Sequence, residues 1–399
     1  MKQVKTIDIL NPDCLGKIFL HLQPDEKNKV NKVCKKWSFA NKFAWNKIKT
    51  LNSCDRKLFQ YFVSNEISQF DVNEMLKRCG ESLEVLTLTN NCDSTIMTAV
   101  SKHCVNLKKL VLILKDYHPD NFKTAFSKMT KLESIDIKKL DDTWFKNIAS
   151  HDNVFQSVTS NIKEISLNAN YDKWLFFTDN FTSTLGRFDE LVSIKLEKCH
   201  LDNNMMNILL QKKSIKQLSL ISCKFDPEKF YTMNLINLEY LNLSFSININ
   251  DILITSASRN CERLKYLNLS SCMSLSKNAL LNIRNFENIE ELYINNLDNI
   301  DDNVLYDFRS LKILECEGCK DITDVGIMRV VLQNYKKLER LGLGKSGITD
   351  ETISCVNDVT KRRDPKFNLY ITASEDVVNS YYKVNDTSEY LIIKKLIDY

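Results

Sequence analysis

Three groups of residues have types and spacings that chemistry would need. Gly342-Leu343-Gly344-Lys345-Ser346-Gly347 matches Gly-x-Gly-x-x-Gly, and its Gly344-Lys345-Ser346 core echoes a loop that cradles phosphate with backbone N–H groups. A complete loop of that kind requires glycine at position 339, which is Glu339. Cys316-x-x-Cys319 has the spacing of half a zinc or redox site, yet no second pair completes four ligands. The five histidines, His21, His103, His118, His151 and His200, stand apart with no spaced ligand or nucleophile beside them. The expectation is a chain with no catalytic residues, no metal and no cofactor. Folding can still join distant side chains, so the elements that carry them decide the question.

Composition narrows the classes. The 399 residues include 55 Lys or Arg against 51 Asp or Glu, a net charge of +4, which is too balanced for a chain-wide nucleic-acid footprint. Eight glycines and five prolines exclude collagen-like, low-complexity and flexible-linker chains. The longest apolar run, Leu110 to Leu114, falls far short of the roughly 20 residues of a membrane helix. Charge interrupts the first eight residues before the hydrophobic region of a secretory signal develops. A soluble protein of the reducing cytoplasm is therefore expected, its 13 cysteines free thiols, with no nucleic-acid or membrane partner. Lys361-Arg362-Arg363 is short for a nuclear signal and leaves nuclear entry open.

A repeat organises most of the chain. Leu-x-x-Leu-x-Leu recurs from Leu83, Leu107, Leu132, Ile162, Leu191, Ile215, Leu238, Leu264, Ile289, Leu311 and Leu338. Every first, fourth and sixth position is Leu or Ile except Cys316, and the offsets suit leucine-rich repeats. Alternation over the fourth to sixth positions predicts a short half-buried strand. Helical spacing follows, as at Ser276 with Ala279, Leu280 and Ile283, and at Thr323 with Val325, Met328 and Val331, the Ser or Thr placed to cap. One strand and one helix cannot bury their apolar faces alone. Stacking does so, which predicts an α/β leucine-rich-repeat solenoid with a parallel concave sheet and convex helices. Leu343 keeps the phase of the repeat, which accounts for the glycine-rich segment as a turn.

The ninth position is Cys at Cys199, Cys223, Cys272 and Cys319 and Asn at Asn91 and Asn170, while Cys79, Cys104 and Cys261 precede their strands by three or four residues. The array thus resembles the cysteine-containing subtype of leucine-rich repeats, in which Cys takes these two positions. The long units between Leu132 and Leu191 are expected to hold insertions around Trp144 and Trp174. The predicted organisation is a helical module at 7–47, a connecting segment at 48–82, and repeats over 83–371. The last of these is a degenerate twelfth strand at 366–371, and 372–399 form a cap or tail.

The first fifty residues differ, with 11 Lys against 4 Asp or Glu. Leu15, Ile18, Phe19 and Leu22 form one helical stripe, and Val30, Val33, Cys34 and Trp37 a second. Some 40 residues bury too little to be stable by themselves, so these stripes need a partner. Leu10-Asn11-Pro12, Ile18-Phe19, Val33-Cys34-Lys35-Lys36-Trp37 and Trp45 resemble the F-box, a small all-α module. With the array behind it, the chain resembles the F-box/leucine-rich-repeat substrate receptors of SCF (Skp–cullin–F-box) ubiquitin ligases. The resemblance implies docking of a Skp-type adaptor, and through it cullin, on Leu10, Pro12, Leu15, Ile18, Phe19, Leu22, Val30, Val33, Cys34 and Trp37. It also implies a protein substrate held by the repeats for ubiquitination and proteasomal degradation, with no chemistry by this chain. The alternative is an interaction scaffold whose helices merely cap the solenoid. Exposure of the Ile18-Phe19 stripe separates the two.

For the substrate, the third, fifth, seventh and eighth residues of each strand are expected on the concave face. There Ile221, Tyr240, Phe245, Tyr266 and Tyr293 form an aromatic patch with few charges. A charged strip flanks it at Lys109, Asp136, Lys138, Lys139, Glu164, Lys195, Glu197 and Lys198.

Overall fold

The computed structural model describes residues 7–22, 24–59, 66–140, 155–169, 174–177, 179–383 and 386–396. The chain divides into two units, Met1–Leu191 and Val192–Tyr399.

The first unit begins with three helices, α1 (Pro12–Leu20), α2 (Pro24–Val30) and α3 (Lys35–Trp45). Pro12 opens α1, where a missing N–H costs nothing, and the Asn11 side chain accepts from the Cys14 N–H at 2.8 Å. α1 packs tightly on α3 because Gly16 has no side chain. A Cβ there would lie 2.8 Å from the Phe43 ring and 3.1 Å from the Ala40 carbonyl oxygen. Leu15, Phe19, Ala40 and Ala44 make a small core with Leu20, Leu22, Val30 and Trp37 at its margin. Asn41 Nδ2 donates to the Lys27 carbonyl at 2.6 Å and ties α2 to α3.

Parallel strands follow: β1 (Thr50–Asn52), β2 (Val85–Leu88), β3 (Lys109–Leu112), β4 (Ser134–Leu140) and β5 (Glu164–Ala169). They pair in that order, with Leu51 opposite Leu86, Leu86 opposite Leu110 and Leu110 opposite Ile135. The expected connecting segment is therefore partly a repeat. Ile48-x-x-Leu51-x-Ser53 carries the pattern with serine in the last place, and the helix Gln69–Cys79 follows under a Ser68–Asp71 capping box. Buried Ser53 is satisfied by Thr89 Oγ1 at 2.9 Å, by Asn91 Oδ1 at 2.8 Å and by the Thr89 N–H at 2.8 Å. Trp144, His151 and Asn170 lie outside the described residues.

In the second unit the strands Ser193–Glu197, Gln217–Ile221, Tyr240–Asn242, Tyr266–Asn268, Glu291–Tyr293, Ile313–Glu315, Arg340–Gly342, Leu369–Ser374 and Leu391–Leu396 are parallel neighbours in chain order. Short α or 3-10 helices alternate with most of them. The twelfth strand runs over Leu369–Ser374 rather than 366–371, because Leu369, Ile371 and Ala373 are its buried residues. The expected cap or tail follows. It adds the helix Glu375–Tyr382 and one more parallel strand. Across both units, every residue at the first, fourth and sixth positions of the eleven repeats is at most 2% exposed.

Polar ladders finish what the leucines begin. At the ninth position the thiols of Cys223, Cys272 and Cys319 donate to the carbonyls of Leu196, Leu243 and Ile294 in the preceding repeat, at 3.4, 3.1 and 3.0 Å. Ser246 does the same to Leu220 at 2.8 Å. Just before the first position, Asn106, Asn161, Asn237 and Asn288 donate to Glu81, Thr130, Lys213 and Glu262 carbonyls. Thr323 caps the helix Asp324–Asn334 as expected, although Val325 is 62% exposed and the buried stripe is Ile327, Val330 and Val331.

Candidate functional site

The helical module sorts the ten expected adaptor residues into two sets. Leu15 is fully buried and Phe19 is 2% exposed, so both build the module's own core. Trp37 is half-buried, its ring 5.2 Å from that of Phe19. Pro12, Leu22 and Val30 are also half-buried. Leu10, Ile18, Val33 and Cys34 are exposed. Sequence reasoning missed Phe39, 65% exposed, and Phe43, because both fall off the stripes used to read the helices. Phe39 borders a groove of about 510 Å³ lined also by Asn31, Lys32, Cys34, Lys35, Ser38 and Lys42. Lys47 lies 5.3 Å above the Phe43 ring. Large apolar groups thus stand among ammonium groups, a surface suited to an acidic partner with apolar side chains.

The module also meets the first repeats. Ser82 Oγ donates to the Ile48 carbonyl at 3.0 Å, and buried Trp45 has the Arg78 guanidinium 5.9 Å from its ring. Lys27 sits 5.5 Å from the same ring, and burial pulls its pKa below the usual lysine value.

The second unit gathers the expected aromatic patch on the sheet face. Tyr240 stands opposite Tyr266 in register, and their rings stack at 4.0 Å and 13°. Tyr293, one strand on, is 5.1 Å from Tyr266. All three are half-buried, as is Ile221. Tyr293 donates to Glu291 at 3.1 Å and accepts from Arg340 at 2.9 Å, and Arg340 also pairs with Glu315 at 2.8 Å. Burial first, then Glu291, pushes the Tyr293 phenol up to about 12, and burial raises Tyr266 as well, so both phenols stay protonated at neutral pH. The tyrosines therefore form an internally bonded platform.

Phe245 is held differently. The eighth position of seven successive repeats is left-handed: Lys198, Ser222, Phe245, Ser271, Asn296, Gly318 and Lys345 have φ between 51° and 78°. This geometry aims each N–H at the next strand, as in Phe245 to the Ser270 carbonyl at 2.9 Å. It costs an L-residue roughly 1–2 kcal/mol, most readily borne by Gly or Asn. Phe245 occupies the position with its ring 57% exposed.

Two ion pairs form within the charged strip. Asp136 pairs with Lys138 at 3.5 Å in the first unit, and Glu197 with Lys195 at 3.6 Å in the second. The other chemical candidates are absorbed by the fold. Leu343 is buried, the Lys345 N–H donates to Ser374 Oγ, and that of Gly347 to the Ile322 carbonyl, so these amides already have partners. Cys316 is a buried inward residue and Cys319 a ladder thiol, both raised by burial. Among the described residues no group of three or more His, Cys, Asp or Glu is placed to hold a metal ion. Arg363 of the basic run is fully buried, its guanidinium bonded to the Leu338 carbonyl at 2.8 Å and packed 3.7 Å from the Phe367 ring.

No family model matches the chain, and no curated relative matches it. Among solved structures, one matches at a TM-score of 0.50 and another more weakly. A chain from the crystal structure of the Rad7 and Elc1 complex in yeast aligns over 98% of both chains, with a TM-score of 0.50 and 15% identity. A chain from the TLR13–ssRNA13 complex covers 80% of this chain and 40% of its own length, with a TM-score of 0.42 and 19% identity. The chain is thus a repeat protein in which parallel strands alternate with short helices, an α/β solenoid of leucine-rich-repeat type.

Proposed function

We propose that this chain is the substrate-recognition subunit of an SCF ubiquitin ligase, with residues 7–47 as the F-box, a Skp-type adaptor linking it to cullin, and the repeats holding a protein target. The observation that carries the reading is the mixed surface of Ile18, Val33, Phe39 and Phe43 among lysines. Such a surface fits an acidic, partly apolar adaptor. The Rad7 and Elc1 structure adds that a protein of comparable fold is found in complex with a second protein. Ubiquitin transfer would then rest on proximity, the receptor contributing only binding and geometry. Capture of the intact chain by a Skp-type adaptor tests this. Val33→Asp with Phe39→Asp is expected to abolish capture while leaving the thermal midpoint unchanged, and undiminished capture would reject the surface.

One observation favours the scaffold alternative: Leu15 and Phe19 are inside the module, and its Trp45 edge is fixed on the first repeats, as a cap would be. Failure of any Skp-type adaptor to bind the intact chain would select that reading.

A further inference from the structure

Phe245 and Glu317 share a property: among the described residues the Phe245 ring has no aromatic partner and the Glu317 carboxylate no hydrogen-bond donor, although the backbone of both is bonded. Phe245 is 57% exposed, and the residue bears a left-handed backbone. Glu317 is half-buried, and its carboxylate accepts no hydrogen bond among the described residues. Burial raises its pKa, opposed only by the field of Lys394. Its neighbours are engaged, Glu315 with Arg340 and Glu291 with Tyr293.

Between them lie only serines and asparagines. Ser270, Ser271, Asn295 and Asn296 fill the seventh and eighth positions of the two intervening strands. Phe245 and Glu317 follow strands three steps apart in the sheet, about 14 Å at the usual spacing of roughly 4.8 Å. An extended peptide crossing the strands rises about 3.3 Å per residue and covers that span in about four residues. Residues i and i+4 of such a peptide point the same way, so both can face the sheet.

We propose that the repeat face of the second unit binds an extended protein segment carrying a large apolar residue and, four residues away, a lysine or arginine. The apolar side chain packs on Phe245 and the cation pairs with Glu317, with the Tyr240–Tyr266–Tyr293 platform earlier on the same strands. The inference rests on the protein-binding half of the proposed function and not on the ligase half. It specifies the chemistry of the client that the helical module would deliver.

The test is selection of a random dodecapeptide display library on the immobilised full-length chain, followed by anisotropy titration of the winning peptides. Enrichment of an apolar residue paired with Lys or Arg at i+4 is expected, in either chain direction. Phe245→Gly and Glu317→Gln should each weaken binding at least tenfold, and Glu317→Lys should shift preference to a peptide with Glu at the cationic place. Phe245→Gly, and Phe245→Asn as a second relief of the same backbone, should not lower the thermal midpoint. No enrichment, or affinities indifferent to these substitutions, would overturn the proposal. Adaptor capture run in parallel separates the outcomes. Peptide selectivity without adaptor binding removes the ligase reading alone, and adaptor binding without selectivity removes this inference alone.

Discussion

The helical module and the repeat array solve the same burial problem with opposite results. In the array each strand and helix is too small to bury its apolar face, but a neighbour of the same design covers it. The residues at the three inward positions are consequently at most 2% exposed. The module has no repeating neighbour. Leu15, Phe19, Ala40 and Ala44 close a core of minimal size, and Ile9, Ile18, Val33, Phe39 and Phe43 remain between 37% and 68% exposed. A self-complementary unit saturates its own surface, whereas a single three-helix packet leaves large apolar side chains exposed.

Thiol chemistry should show the largest contrast. Cys14, Cys34 and Cys54 are exposed, while Cys79, Cys92, Cys104, Cys261 and Cys272 are buried and pushed up to about 12 by burial. The thiolate is the reactive form, so at pH 8 the buried group should alkylate more slowly by a factor on the order of 10³ or more. Mass spectrometry of iodoacetamide-treated protein checks this. Comparable labelling of Cys14 and Cys272 would mean that the array is no tighter than the module. Next in size is Leu267→Ala, expected to cost about 2–5 kcal/mol in a denaturant titration because a fully buried ladder position is hollowed out. Gly16→Leu should cost about 1–3 kcal/mol, since the new side chain collides with Phe43 and Ala40. Hydrogen exchange should then accelerate in α1 and α3 and stay unchanged in the strands from Val85 to Leu112. Acceleration in those strands would show that module and repeats unfold together.

How much of this could be read from sequence follows from the same contrast. The eleven repeats are legible because each inward position must be apolar, and a period carried by three such residues per unit survives local irregularity. The repeat at Ile48 was hidden because Ser53 holds the sixth position, its hydroxyl satisfied by Thr89 and Asn91 rather than by apolar neighbours. The left-handed eighth position is invisible because Lys198, Ser222 and Phe245 stand where Gly or Asn would announce it. The aromatic platform was found because strand register follows directly from the repeat phase, and Tyr240 does face Tyr266. In the module no register exists. Helical stripes at Leu15–Ile18–Phe19 and Val30–Val33 show which residues share a face, but a three-helix packet has inner and outer apolar faces, and spacing alone does not rank them. Leu15 and Phe19 turned inward, while Phe39 turned out.

Phe39→Ala should have the smallest effect on the fold and sharpens the comparison most. The ring is 65% exposed, so its truncation should change the unfolding free energy by no more than about 0.5 kcal/mol. If the face it belongs to is an interface, the same change should weaken adaptor binding about tenfold, or ~1.4 kcal/mol, in a calorimetric titration. Lys35→Glu and Lys42→Glu, on the same groove, should weaken binding further at low salt than at high salt, because exposed charges act within a Debye length of about 10 Å at 0.1 M. A fold indifferent to Phe39 and a partner sensitive to it would place the residue's role outside the chain's own stability. Equal indifference of both would leave the module as a lid on the first repeats, with Trp45 and Arg78 as its functional contact.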